Sequence, residues 1–163
     1  MFKRKIFKEG SIEKTIRECS LFKGLSSSEL KACLSVAHIR EFATEEKIFS
    51  EGTIGLCFYI IAKGRVELVS DSKTGLKPMV LKEYTDGGYF SESHLIAETN
   101  HTLSGIAKEL TKLIIFAKPD FEDLIKIKPK TGNKMLLNFL EFMSSQLENL
   151  YKENIELKDK SHS

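Results

Sequence analysis

The chain has no tryptophan, only three prolines among 163 residues, and no cysteine pair at C-x-x-C spacing. Its three cysteines, Cys19, Cys33 and Cys57, are odd in number and far apart, which argues against a disulfide framework and against a zinc site. A reducing cytosol, and so a cytoplasmic location, is the expectation. No stretch approaches the ~18 uncharged residues of a membrane span. No apolar segment follows the basic start Met1-Phe2-Lys3-Arg4-Lys5-Ile6-Phe7-Lys8 either, so neither a secretory signal nor a membrane span is expected. An excess of one charge is also missing: 25 Lys and Arg face 23 Asp and Glu, for a formal net charge of +2. That balance gives no general electrostatic drive toward nucleic acid.

What is present fits one core with appendages. Residues 1–37 read as a helical segment. Ser11 can cap a short helix with Ile12, Ile16 and Cys19 on one stripe, and Ser26 with Glu29 forms a capping box before Leu30, Cys33, Leu34 and Ala37. From about His38 the apolar period changes from 3.6 to 2. Strands are expected over residues 39–43, 47–50, 57–62, 65–70, 78–84, 102–107 and 113–117. Turns are expected at Glu51-Gly52, Lys73-Thr74-Gly75 and Asp86-Gly87-Gly88, with a tight hairpin at Lys63-Gly64. Many short strands at regular spacing make residues 38–118 a sandwich, jelly roll or barrel.

Residues 119–163 return to helix, a short one over 120–127 and a long one from near Thr131 toward Leu157. Along the long helix Leu140, Leu147 and Asn154 fall at a positions, and Met143, Leu150 and Leu157 at d positions. A buried amide at a favours a parallel two-stranded pairing in one register, so a homodimer through this helix is expected, with Phe139 and Phe142 packing on the chain's own domain.

Between Gly87 and Ala107 glycines and small hydroxyl residues meet one carboxylate and two histidines. Ser91-Glu92-Ser93-His94 before Leu95-Ile96-Ala97 reads as a turn entering a short helix with an anion-binding concavity. Nothing here points to catalysis. The chain has no Gly-x-Ser-x-Gly elbow, Cys33 and Cys57 sit in apolar runs, and the His-x-His block of metal-dependent jelly-roll enzymes is absent. Neither enzymatic activity nor a metal site is expected.

Across roughly residues 20 to 150 the sequence resembles the cyclic-nucleotide-binding domain family. The resemblance rests on Leu21-Phe22 and Leu25, Glu51-Gly52-Thr53-Ile54-Gly55, Phe58-Tyr59-Ile60-Ile61, Lys63-Gly64-Arg65-Val66, Gly87-Gly88-Tyr89-Phe90-Ser91-Glu92, residues 113–116 and Asp120-Phe121. It implies a mainly β fold with flanking helices: an eight-stranded antiparallel jelly roll, N-terminal helices and a long C-terminal helix. It also implies a phosphate-binding cassette with cyclic AMP or cyclic GMP as possible ligand and no other cofactor.

Carried over by position, Glu92 matches the carboxylate that accepts from the ribose hydroxyl, and Ser91 stands where glycine is usual. Ser104 matches the cassette hydroxyl, and His101 takes the arginine's place. Ser93, His94 and Thr102 complete the ligand-binding set. A histidine is mostly neutral at pH 7 and lacks the guanidinium fork. Loss of a buried ion-pair partner costs about 3–5 kcal/mol. That would take a micromolar binder to roughly millimolar.

The family's long helix flanks its pocket, which implies that Gln146 closes over the ligand while a hinge at residues 121–129 repositions the helix. DNA-binding relatives carry a helix-turn-helix after that helix; here only residues 158–163 follow, so DNA binding is not expected. The expected function is a stand-alone regulatory module that senses a cyclic nucleotide or related small anion and acts on an unknown protein partner. The alternative is a structural dimerisation module or adaptor with a vestigial pocket.

Overall fold

The capping box forms as its spacing requires. Ser26 Oγ accepts from the Glu29 N–H at 3.3 Å, and Glu29 Oε2 accepts from the Ser26 N–H at 2.7 Å. These two bonds satisfy amides that a helix start leaves open, and they begin α2, Ser27–Ser35. Before it stands α1, Glu9–Glu18, followed by a 3-10 turn at Ser20–Phe22. In this computed structural model residues 9–70 and 78–161 are described. The turn expected at Lys73-Thr74-Gly75, the basic start and His162 lie outside the described residues. Ser11 is not the cap of α1, because it lies inside the helix, which already includes Glu9. Ile12, Ile16 and Cys19 are nonetheless buried, as the stripe suggests.

The change of period falls where the sequence places it. Ala37 belongs to β1, Ala37–Phe42, rather than to the preceding helix. The next strands are β2 (Lys47–Phe49), β3 (Ile54–Gly55), β4 (Cys57–Lys63), β5 (Val66–Ser70) and β6 (Met79–Tyr84). After them come β7 (Tyr89–Phe90), β8 (Thr99–Asn100), β9 (Ser104–Ala107) and β10 (Thr111–Ala117). All pair antiparallel, in sheets ordered β1-β10-β4-β7, β2-β9-β5-β6 and β3-β8. The architecture is thus β sheet with flanking helices, with ten short strands among the described residues where eight are expected. The strand expected over residues 102–107 begins only at Ser104.

Lys63-Gly64 is not a hairpin. β4 pairs with β10 and β7, while β5 pairs with β9 and β6, so the chain crosses from one sheet to the other at this point. Gly64 has φ 113° and would drive a Cβ to 2.7 Å from Thr111 Cα, so the corner admits no side chain. Its N–H donates to Asp86 Oδ1 at 2.7 Å.

Strand alternation divides the interior into two cores. Phe58 and Ile60 of β4 face the helices with Ile114 and Phe116 of β10. Tyr59, Ile61 and Leu113 face into the roll with Phe42, Val66, Phe90 and Ala107. Both faces of β4 are therefore buried, which explains its nearly continuous apolar run. The chain closes with α3, Lys118–Ile127, and α4, Pro129–Ser161. α4 starts at its proline rather than at Thr131, because proline at the first position lacks only an N–H that the helix would leave open anyway. Met135, Leu136, Phe139 and Phe142 pack α4 onto the first core, and Asn138 Nδ2 donates to the carbonyls of Leu21 and Lys23.

Candidate functional site

The site grows out of the 3-10 turn Glu92–Leu95, which follows β7. Leu95 is 3% exposed and anchors the turn in the first core, facing Leu21, Phe121, Met135 and Phe139. The turn is entered through Ser91 at φ 62° and ψ 27°, in the left-handed region that glycine occupies at least cost. Opposite the turn, the segment after β8 is fastened by backbone pairing. The His101 N–H donates to the Thr53 carbonyl and the Gly52 N–H donates to the His101 carbonyl, each at 2.8 Å.

Between these two segments lies a cavity of about 250 Å³. Ser91, Glu92, Ser93, His94, His101 and Thr102 line it, with Phe49, Leu68, Tyr84, Phe90, Thr99, Asn100 and Leu103. Six of the seven residues singled out in the sequence therefore meet at one concavity. The seventh, Ser104, is fully buried behind it, where its hydroxyl accepts from the Glu51 N–H at 2.9 Å. Gln146 does not reach the cavity, and no described residue of α4 lines it. The reason is geometric, since α4 packs on the core only as far as Phe142.

The contact between the two histidines is the feature that the sequence does not announce. Both are 6% exposed, and His94 Nε2 lies 3.0 Å from His101 Nδ1. His101 also stacks on Phe49, with ring centroids 3.9 Å apart and planes 11° from parallel. Gly105 makes this possible. It sits opposite Phe49 in the β2–β9 register, and a Cβ there would come within 2.7 Å of the Phe49 ring. Gly55 is likewise required by the His94 ring, which occupies the place of its missing side chain. Glycines at a strand end and mid-strand, facing an aromatic and a histidine, are the signal available in the sequence.

Burial sets the electrostatics. It pushes His101 down to about 4, with neighbouring His94 adding to the effect, and it lowers His94 as well. Both rings are thus neutral at pH 7. Burial also raises the Glu92 carboxyl, opposed by its own backbone N–H and by the charge of Lys82. Chemically the cavity offers one desolvated carboxylate to accept from a hydroxyl, several small hydroxyls, and a paired imidazole unit. No group of three or more His, Cys, Asp or Glu is arranged to hold a metal ion among the described residues.

A mainly β fold with flanking helices, with a small polar cavity beside the turn Glu92–Leu95, is the class of architecture that these observations define. Residues 39–128 match the cyclic nucleotide-binding domain over more than half of the chain, and the chain belongs to that family. It is 29% identical over 115 residues to the cyclic AMP receptor protein of Thermus thermophilus, covering 71% of this chain and 53% of that protein. Over 94 residues it is 29% identical to human cGMP-dependent protein kinase 2, covering 58% of this chain and 12% of the kinase. The chain therefore spans about half of one curated relative and a small part of the other.

Among solved structures, the catabolite activator protein of Thermus thermophilus superposes with a TM-score of 0.75 at 26% identity, covering 86% of this chain and 63% of that one. The regulatory domain of Toxoplasma gondii PKA, crystallised with cAMP, superposes with a TM-score of 0.66 at 22% identity, covering 82% of this chain and 48% of that one. The second likeness shows the fold alone. No described helix is long and apolar enough to cross a membrane.

Proposed function

We infer that the chain is a regulatory module that senses a cyclic nucleotide or a related small anionic ligand through the cassette at Ser91–Glu92 and His101. The observation that carries this is the cavity itself, a space of about 250 Å³ lined by desolvated Glu92, Thr102 and the His94–His101 pair. A ligand hydroxyl donating to Glu92 would replace the water that burial has removed from that carboxylate. The co-crystallised cAMP of the Toxoplasma regulatory domain and the cyclic AMP receptor relative make cyclic AMP the first ligand to test, with cyclic GMP beside it. Leu95 ties the cassette to Phe121 and Met135, so occupancy would be felt at the junction of α3 and α4. The output is regulatory rather than catalytic, through a homodimer and a protein partner.

A second reading keeps the dimer and drops the ligand. It is favoured by one observation: the arginine position holds a neutral ring whose Nδ1 is already bonded to His94, so no fixed positive charge awaits a phosphate. Calorimetry separates the two. The sensing reading expects saturable binding of cyclic AMP or cyclic GMP to the wild-type chain and its loss, at least tenfold or about 1.4 kcal/mol, in Glu92→Ala. Absence of binding in the wild type together with tight binding by His101→Arg would establish the vestigial-pocket reading instead.

A further inference from the structure

His94 and His101 meet at the cavity wall with Nε2 of one and Nδ1 of the other 3.0 Å apart. One nitrogen must supply the hydrogen and the other a lone pair. If His101 donated, the hydrogen of neutral His94 would sit on its own Nδ1, which is buried and has no partner. An orphaned buried N–H is the rarer and costlier outcome. In the neutral pair, therefore, His94 Nε2 donates, and His101 keeps its hydrogen on Nε2. Neither ring is free to swing away. Phe49 covers one face of His101, and the His94 ring fills the space beside Gly55.

Resting on the reading that the cavity receives an anion, we propose that the ligand enters together with one proton, which the His94–His101 pair takes up as a hydrogen-bonded imidazolium and imidazole. The proton comes from solvent and is bound at His94 Nδ1, while the hydrogen between the rings passes from His94 Nε2 to His101 Nδ1. His101 then donates from both nitrogens, from Nδ1 to His94 and from Nε2 to the anion, and the cost of the buried N–H that His94 then carries on Nδ1 keeps the pair neutral until the anion's charge offsets it. The pair thus acquires, only when an anion is present, the positive charge that a fixed arginine would carry at all times. Uptake stops at one proton, because two imidazolium charges 3.0 Å apart cannot coexist.

The surroundings are consistent with a pair that stays neutral until the anion arrives. Burial depresses both rings when the cavity is empty. Glu92 shares the turn with His94, and Tyr84 of β6 lines the same cavity. Lys82 acts on Glu92, and Glu98, before β8, is held by Lys118 of α3 at 3.1 Å. Phe49 of β2 and Gly55 of β3 bring no charge, Cys57 of β4 answers to Tyr59 and Asp120, and α3 faces the turn with Phe121 and Leu124. Among the described residues the charge acting on His101 is that of His94, which lowers it, whereas a bound anion would raise it.

Calorimetry of cyclic AMP binding at about pH 6 and about pH 7.5, in two buffers of different ionisation enthalpy, tests this. The expected result is uptake approaching one proton and an affinity that rises up to about tenfold for each unit of pH lowered. In His101→Arg the charge is permanent, so binding there takes up no proton and is flat with pH. Cyclic AMP binding by the wild type without proton uptake overturns the proposal and leaves the nucleotide reading standing. If cyclic AMP does not bind, NMR titration of the wild-type imidazoles with and without inorganic phosphate decides. An upward shift of the His101 titration supports proton-coupled anion capture while the nucleotide reading falls, and an unmoved titration overturns both.

Discussion

At Ser91 the backbone holds a left-handed conformation with φ 62°, and no side-chain hydrogen bond caps the turn that follows. A residue with a Cβ loses roughly 1–2 kcal/mol in this region relative to glycine. Ser91→Gly is therefore expected to raise the melting temperature by roughly 2–4 °C in a chain of this size, as thermal unfolding would show. A lower melting temperature would mean that the hydroxyl makes an interaction outweighing the strain. The two cassette histidines set a dependence on acid. Their folded pKa values lie below the ordinary value of 6.5, so as pH falls the unfolded chain binds these protons first. The stability they contribute is complete above 6.5 and is lost progressively below it, for His101 down toward about 4. Glu92 works in the opposite sense, because a raised carboxyl costs stability only while it is charged. In a Glu92→Gln background the melting temperature should fall steadily from neutral pH to pH ~5, and His101→Phe should remove part of that fall. A flat profile would show that the rings are solvated.

At the scale of elements, α4 is the part that the single chain leaves unfinished. Its 33 residues extend about 50 Å. Contacts with the core end at Phe142. Beyond that point Leu147 is 51%, Leu150 61% and Leu157 67% exposed, and Asn154 is exposed with them. Leu140 and Met143, which begin the heptad seam, are exposed as well. A helical extension of this length is marginal alone in water and gains most of its stability from a packed apolar face. If the proposed dimer forms on that seam, Leu147→Asp and Leu150→Asp are expected to shift the sedimenting species from dimer to monomer and to speed amide exchange after Phe142. A wild-type monomer at every concentration would remove the dimer from the account.

The other elements show what can be read in advance. The capping box, the i, i+4 stripe of Ile12 and Ile16, the switch to period 2 and the helix stop before Pro129 are local rules, and the chain obeys them. β3, β7 and β8 are two residues each, too short for any period to register. Gly64 was open to misreading, because a glycine between two strands looks alike whether the strands pair with each other or part into different sheets. The contact of His94 with His101 spans an irregular loop, where no repeat in the sequence announces it.

For the molecule as a whole, the two cores share β4 and β10, so the roll and the helices rest on one pair of strands. The cassette turn touches both sides of this arrangement: His94 and Glu92 border the cavity, while Leu95 is seated among the helices. The cavity wall and the helix contact are thereby adjacent in the chain, at His94 and Leu95. The measurement that tests this most directly is backbone NMR of the wild-type chain during titration with cyclic AMP. Saturable shifts at Ser91, Glu92, His101 and Thr102, accompanied by shifts at Leu95, Phe121 and Met135, are the expected result. An unchanged spectrum, or shifts confined to residues away from the cavity, would contradict the claim that this fold reads a small anion beside Glu92.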